Sequence, residues 1–170
     1  MALVDATPND IPAIMAIERD PAYEQFIGHF EADEHAARMA SDNDHYFVWR
    51  EHGAVQAFAI LSKLAEPHGV VLLKRIGAAA TDTGLSRRMM PVLIDRVFEQ
   101  FGANRFELDV AVLNPRATHV YRREGFVQEG TVREVYRHRD GAYHSSHLFS
   151  MLRREWDALP RRNPPAAGSL

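Results

Sequence analysis

The stretch Asn114-Pro115-Arg116-Ala117-Thr118-His119-Val120-Tyr121-Arg122-Arg123-Glu124-Gly125-Phe126 decides how this chain is read. It lies between two apolar-alternating runs, 106–112 before it and 126–136 after it, and so reads as strand, loop, helix, glycine stop and strand. Asn114 suits an N-cap, because its side-chain oxygen accepts a hydrogen bond from a first-turn amide. Pro115 follows at a position where no amide hydrogen is needed. Gly125 closes the helix, since glycine enters the left-handed conformation at little steric cost. Ala117, Val120 and Tyr121 recur at helical spacing and share one face.

Working outward, the N-terminal side gives a short apolar start at Leu3, then a turn at Thr7-Pro8-Asn9-Asp10. Ile11, Ile14, Met15 and Ile17 follow at helical spacing, and Asp20-Pro21 ends that helix. Tyr23, Phe26, Ile27 and Phe30 form an aromatic cluster, and a second helix is predicted over 31–40. Strands over 46–49 and 54–61 join around Glu51-His52-Gly53 as a hairpin, and a third strand runs over 69–78. Thr83-Gly84 then opens a long amphipathic helix through Leu85, Met89, Leu93 and Val97. Beyond Phe126, a turn at Arg139-Asp140-Gly141 leads into a last strand over 143–152. The order β, α, α, β, β, β, α, β, α, β, β predicts an α/β (mixed α+β) fold. Its centre is a mixed, mostly antiparallel seven-stranded sheet flanked by helices. Only the crossovers 78→106 and 112→126 carry a helix between strands, and these predict parallel pairs.

A length of 170 residues is one domain's worth, predicted over 1–157, with a flexible tail over 158–170 that holds Pro160, Pro164, Pro165 and Gly168. The apolar fraction of 46% and charged fraction of 25% are those of a soluble globular protein. No apolar run approaches the ~20 residues of a membrane span, and no signal-peptide pattern opens the chain. Cysteine is absent, which excludes disulfides and thiolate metal sites and predicts a cytoplasmic protein. A net charge of −3 gives no drive toward nucleic acid and mildly favours a cationic small partner. No metal site is expected. His144 and His147 fall on opposite faces of a strand, and Asp42-x-Asp44 lacks a closing acidic ligand.

Asn114, Ala117, Tyr121, Gly125 and Phe126, in this spacing, resemble the last cofactor-contacting segment of the GNAT family of N-acetyltransferases. The resemblance implies the GNAT fold, acetyl-CoA (coenzyme A) as cofactor, and acetyl transfer to a primary amine on a protein N-terminus or small molecule. Transfer would be by direct attack in a ternary complex. It also implies that the backbone of Ile76, Gly77 and Ala78 contacts the pantetheine arm and polarises the acyl carbonyl. A row of free amides at a helix N-terminus is an inexpensive partner for a pyrophosphate. The segment Thr81-Asp82-Thr83-Gly84-Leu85-Ser86-Arg87 stands where a strand passes into a helix. Gly84 lets the backbone approach phosphate, Ser86 is small, and Arg87 adds charge. The family's usual motif is Gln/Arg-x-x-Gly-x-Gly/Ala; Gly84 matches it, while Thr81 and Ser86 replace its first and last residues. Asn114 and Ala117 complete the implied cofactor wall.

Acetyl transfer needs a neutral amine, a donor for the developing oxyanion and a proton for the departing thiolate. The resemblance places Tyr121 beside the sulfur as the acid. Phe106-Glu107-Leu108-Asp109-Val110 puts Glu107 and Asp109 on one face, and Asp109 lies where protein N-terminal acetyltransferases carry their base. A structural carboxylate, with proton release to solvent, is the alternative. The segments 129–134, 141–144 and 149–156 resemble the ribosomal-protein alanine acetyltransferase (RimJ/RimL-like) branch, with Ser145 where that branch carries Asp. The acceptor groove is expected between 23–30, the 126–136 strand and the last strand, with His138, His144 and His147 as lining candidates. A homodimer stays open. The rival reading is a non-catalytic CoA-binding or interaction domain with the same fold.

Overall fold

Apolar alternation is realised as seven strands in the computed structural model, which describes residues 1–23, 26–80, 83–138 and 141–160. These are β1 (Ala2–Asp5), β2 (His45–Glu51), β3 (Ala54–Ser62), β4 (Val70–Ala78), β5 (Arg105–Ala111), β6 (Val127–Arg137) and β7 (Tyr143–Leu152). They form one sheet in the order β1-β2-β3-β4-β5-β7-β6. Every neighbouring pair is antiparallel except β4 and β5. The helices are α1 (Ile11–Glu18), α2 (Ala32–Met39), α3 (Leu85–Gln100), α4 (Pro115–Glu124) and α5 (Arg153–Asp157). The expected mixed sheet flanked by helices is what the chain forms. No helix among the described residues is long and apolar enough to cross a membrane.

One crossover departs from expectation. The helix α3 joins a parallel pair as predicted, but α4 does not join β5 to an adjacent parallel β6. Instead β7 lies between them and pairs with β5 from Arg105↔Leu152 to Ala111↔Ser146. The reason is burial. β7 carries Phe149 and Met151, both fully buried beside Phe106 and Leu108 of β5, whereas β6 is exposed along most of its length. The apolar strand takes the inner position and the polar one becomes the edge.

The feature that positions the site is a splay. β4 and β5 pair only at Val70↔Arg105, Val71↔Phe106 and Leu72↔Glu107, and then separate. Just beyond the last pair, the β3–β4 register slips. Leu61 faces Leu73 and Ile60 faces Arg75, leaving Lys74 as an extra residue on β4. Such a bulge bends its strand and ends regular pairing. Farther along, Gly77 permits close packing from behind: a Cβ there would meet Phe58 Cε1 at 2.8 Å and Ile17 Cγ2 at 3.0 Å.

Two apolar layers hold this sheet. One, with Phe47, Leu93, Phe98, Phe106, Phe149 and Trp156, lies under α3, α4 and α5. The other, with Ile14, Ile17, Phe30, Val48, Phe58 and Ile60, lies under α1 and α2. The α4 termini match the sequence reading. Asn114 Oδ1 accepts from Ala117 N–H at 3.0 Å, and Gly125 has φ 99°. The helix α5 was not anticipated. Its Trp156 ring stacks on Phe98 at 5.0 Å and donates from Nε1 to Asp95 at 2.7 Å. Leu159, in the segment expected as tail, packs against the same layer; residues 161–170 lie outside the described residues. Trp156→Ala is expected to lower unfolding free energy by about 3–5 kcal/mol, the usual cost of deleting a buried aromatic, as read from urea denaturation.

Candidate active site

Where β4 and β5 part, a cleft of about 1080 Å³ opens through the sheet. One wall is β4, through Ile76, Gly77 and Ala78. The other is α4 and the end of β5, through Asn114, Ala117, Val120, Tyr121 and Asp109. Thr83, Gly84, Leu85 and Ser86 line the mouth at the start of α3. The fold thus brings nearly all sequence-predicted site residues to one cavity. The exceptions are Arg87, which is exposed on the first turn of α3 and does not line the cleft, and Thr81, which lies outside the described residues.

The mouth fits a phosphate-bearing ligand. Gly84 is the N-cap of α3 in the left-handed conformation, φ 72°, which only glycine adopts freely. No side chain caps this terminus; the Arg87 amide donates to Gly84 O at 3.1 Å, and the amides of Leu85 and Ser86 precede it at the open end of the helix. A Cβ on Gly84 would meet nothing within 4 Å, so the space in front of it is open. Small Ser86 and Ala117 keep the passage clear. On β4, Ala79 N–H donates to Gln56 O of β3 at 2.7 Å. Strand alternation therefore turns the amides of Ala78 and Ile76 the other way, into the splay. The Ala78 amide donates to the Tyr23 hydroxyl at 2.9 Å, and the Ile76 edge amide on this wall and the helix N-terminus at the mouth suit the pantetheine and pyrophosphate of acetyl-CoA.

Tyr121 is buried, its ring packed at 5.8 Å from Phe126 and 6.2 Å from Phe149. Burial, aided by the charge of Asp109, raises its pKa well above the ordinary phenol value, so it carries its proton throughout the neutral range. Asp109 lies exposed on the cleft. Glu107, on the same face, is committed elsewhere: it accepts from Lys63 and from Arg105, each at 2.8 Å, at the closed end of the splay. Of the histidine candidates, His138 lines the cleft, and His144 packs against it at 5.5 Å. His147 is turned toward Gln128 and Thr131 instead.

The far wall comes from the segment after α1, through Ala22, Tyr23, Phe26, Ile27, Gly28 and His29, facing Val135 and Tyr136 of β6. A buried charge cluster that the sequence reading missed anchors this wall. Glu18 and His35 are 1% and 0% exposed. Glu18 accepts from Arg75 at 2.7 Å, from the His35 ring at 3.0 Å and from the Phe30 amide at 3.3 Å. The Phe30 ring lies between two guanidinium groups, Arg75 at 3.7 Å and Arg38 at 4.2 Å. Gly28 passes so close over Arg75 that a Cβ would stand 3.3 Å from its Nη2. The available signal was a carboxylate on an apolar stripe, because positions 11, 14 and 18 share a helix face.

A parallel strand pair that opens onto an uncapped helix N-terminus is the architecture of an acyl-CoA-dependent N-acyltransferase. Residues 11–126, more than half of the chain, match the acetyltransferase (GNAT) family. The chain belongs to that family, and is an N-acetyltransferase that uses acetyl-CoA. Among solved structures, the chain is similar to the spermidine N-acetyltransferase of Vibrio cholerae in complex with CoA and spermine. That likeness is at 21% identity and TM-score 0.81, over 91% of this chain and 96% of that one. A mutant of the same enzyme matches at 21% identity and TM-score 0.80, over 95% and 99% of the two chains. A chimera of that enzyme with hSSAT matches at 20% identity and TM-score 0.80, over 92% and 98%. At such identities the likeness establishes the fold.

The charge cluster yields a pH signature. Burial pushes the Glu18 carboxyl up, but hydrogen bonds from His35 and Arg75 outweigh this and hold it below the ordinary carboxylate value. A depressed folded pKa contributes stability that is present above the unfolded value and lost as pH falls through the folded one. Glu18→Gln is expected to cost about 3 kcal/mol at pH 7, because it leaves Arg75 buried without its counter-charge. In thermal melts, the gap between wild type and variant should close as pH is lowered below about 4, since protonated wild-type Glu18 then resembles the amide.

Proposed function

We propose that this enzyme acetylates a single primary amine by direct attack in a ternary complex, and that its acceptor carries little positive charge beyond that amine. The observation that carries the reading is the through-going cleft. It has a phosphate-binding mouth at α3, an acceptor wall at 22–29 and β6, and the Tyr121 phenol between them. Bound acetyl-CoA supplies an acetyl thioester whose sulfur leaves as a thiol. Tyr121 holds the proton that the departing sulfur needs, and its burial keeps that proton in place until negative charge develops nearby. Asp109, exposed at the cleft, takes the proton released by the amine directly or through water. The Ile76 amide, aimed into the splay, is a donor for the acyl oxygen.

The acceptor class follows from local rather than overall charge. Lys74, Arg116 and Arg137 line the cleft together with Arg75, whose charge is matched by Glu18, and Asp109 is the one carboxylate of its lining among the described residues. This balance opposes a polycation such as the spermine bound by the Vibrio cholerae enzyme. It favours a peptide N-terminus or a small monoamine, in keeping with the resemblance of 129–134 and 149–156 to the ribosomal-protein alanine acetyltransferase branch. The Ser145 that replaces the branch's Asp accepts from the Glu134 amide at 3.0 Å, pinning the bulged part of β6.

Product analysis by mass spectrometry over peptides, monoamines and spermidine tests the acceptor class; faster turnover of spermidine than of every monoamine and peptide would overturn it. Tyr121→Phe is expected to lower kcat at least about 100-fold, the range for loss of a general acid, with acetyl-CoA affinity unchanged within about twofold. An unaltered kcat removes the acid role from Tyr121. Acetyl-CoA binding without product from any amine favours the non-catalytic reading.

A further inference from the structure

The Tyr23 hydroxyl accepts a hydrogen bond from the Ala78 amide at 2.9 Å. That amide is one of the two that β4 turns into the splay, a place where a ligand lying along the strand would meet it. Having accepted at oxygen, the phenol still has its own hydrogen to give. Burial raises the Tyr23 pKa above the ordinary phenol value against the opposing bond from Ala78, so the hydroxyl is protonated at neutral pH. Its ring belongs to the acceptor wall, while its oxygen stands on the donor-facing edge of β4. The acyl carbon and the incoming amine have to meet at that junction.

We infer that Tyr23 is a second phenol of the active site, one that donates its hydroxyl hydrogen bond to the carbonyl oxygen of the acyl thioester and relays the Ala78 amide to it. This rests on the acetyl-transfer reading above. Tyr23 loses no proton in this role: it strengthens a hydrogen bond as charge develops on the oxygen, while Tyr121 serves the sulfur. The arrangement extends the edge of β4 by one hydroxyl, so a carbonyl too far from the strand to reach its amide is still served by it.

Tyr23→Phe keeps the ring and removes the donor. Four measurements on the full chain are compared with wild type: calorimetric affinity for acetyl-CoA and for CoA, amide exchange at Ala78, turnover at saturating amine, and slow hydrolysis of acetyl-CoA without amine. The variant should bind acetyl-CoA about fivefold more weakly and CoA unchanged, because only the former carries the thioester carbonyl. Ala78 exchange should accelerate, kcat should fall about 100-fold, and hydrolysis should fall with it, since water attacks the same carbonyl. Three results overturn the inference. In one, acetyl-CoA affinity and kcat are unchanged. In another, both ligands bind more tightly, which would make the hydroxyl a competitor for the amide. In the third, only the KM for amine rises while hydrolysis is untouched, which would confine Tyr23 to shaping the acceptor wall. If wild type acetylates no amine, the acetyl-transfer reading fails; the ratio of acetyl-CoA to CoA affinity still decides the hydrogen bond itself.

Discussion

Two strands that start as neighbours and then stop pairing leave backbone donors and acceptors facing a gap, and buried backbone groups of that kind must find partners. Here β4 and β5 share three register positions before Lys74 bulges out of the ladder. The amides beyond that point line a cleft in the middle of the sheet, where an extended chain of amide groups can dock as an added strand would. An outer edge strand offers the same groups but is bathed in water. An internal splay offers them between two apolar layers, where hydrogen bonds and dipoles act more strongly. The start of α3, the face of α4 and the segment after α1 all converge on this gap. Each of the roles proposed for them presupposes that the gap stays open.

The wall formed by the segment after α1 is held by buried ions as well as by the apolar packing of Tyr23, Ile27 and Phe30. Burying Glu18 costs several kcal/mol in desolvation, offset only if every lone pair finds a donor. Arg75, His35 and the Phe30 amide supply them. The arrangement ties α1, α2 and β4 to Phe30, at one end of the segment after α1 that lines the cleft. Overall charge and local charge also part company here. The chain is net acidic, yet the charged residues that line the cleft are mostly cations.

Much of this was legible beforehand because it is local. Asn114, Pro115 and Gly125 define a helix through capping and backbone freedom alone, and that helix carries Ala117 and Tyr121 on one face whatever surrounds it. Short apolar runs, some alternating and some continuous, bounded by turn residues, located all seven strands for the same reason. The site was legible where a residue's role follows from its own segment, as with Gly84 at a strand-to-helix turn. It was not legible where the role depends on a partner far along the chain. Glu18 drew no reading from its own segment, and its role exists only because Arg75, 57 residues away, and His35 close on it. Tyr23 looked like one member of an aromatic cluster until its hydroxyl met the Ala78 amide, 55 residues away. Trp156 looked like the end of the ordered chain, yet its ring anchors α5 on Phe98.

The sequence by itself determined the seven strands and the helices α1 to α4, their order, the helix that presents Tyr121 and the glycine at the mouth of α3, because hydrogen-bond geometry and steric limits act over a few residues. Tertiary structure alone decided that β7 enters between β5 and β6, that Glu107 is bound in ion pairs while Asp109 is exposed at the cleft, and that Tyr23 reaches the open edge of β4. Those outcomes rest on which buried surfaces compete for the same neighbour, a comparison that exists only once distant segments share one core.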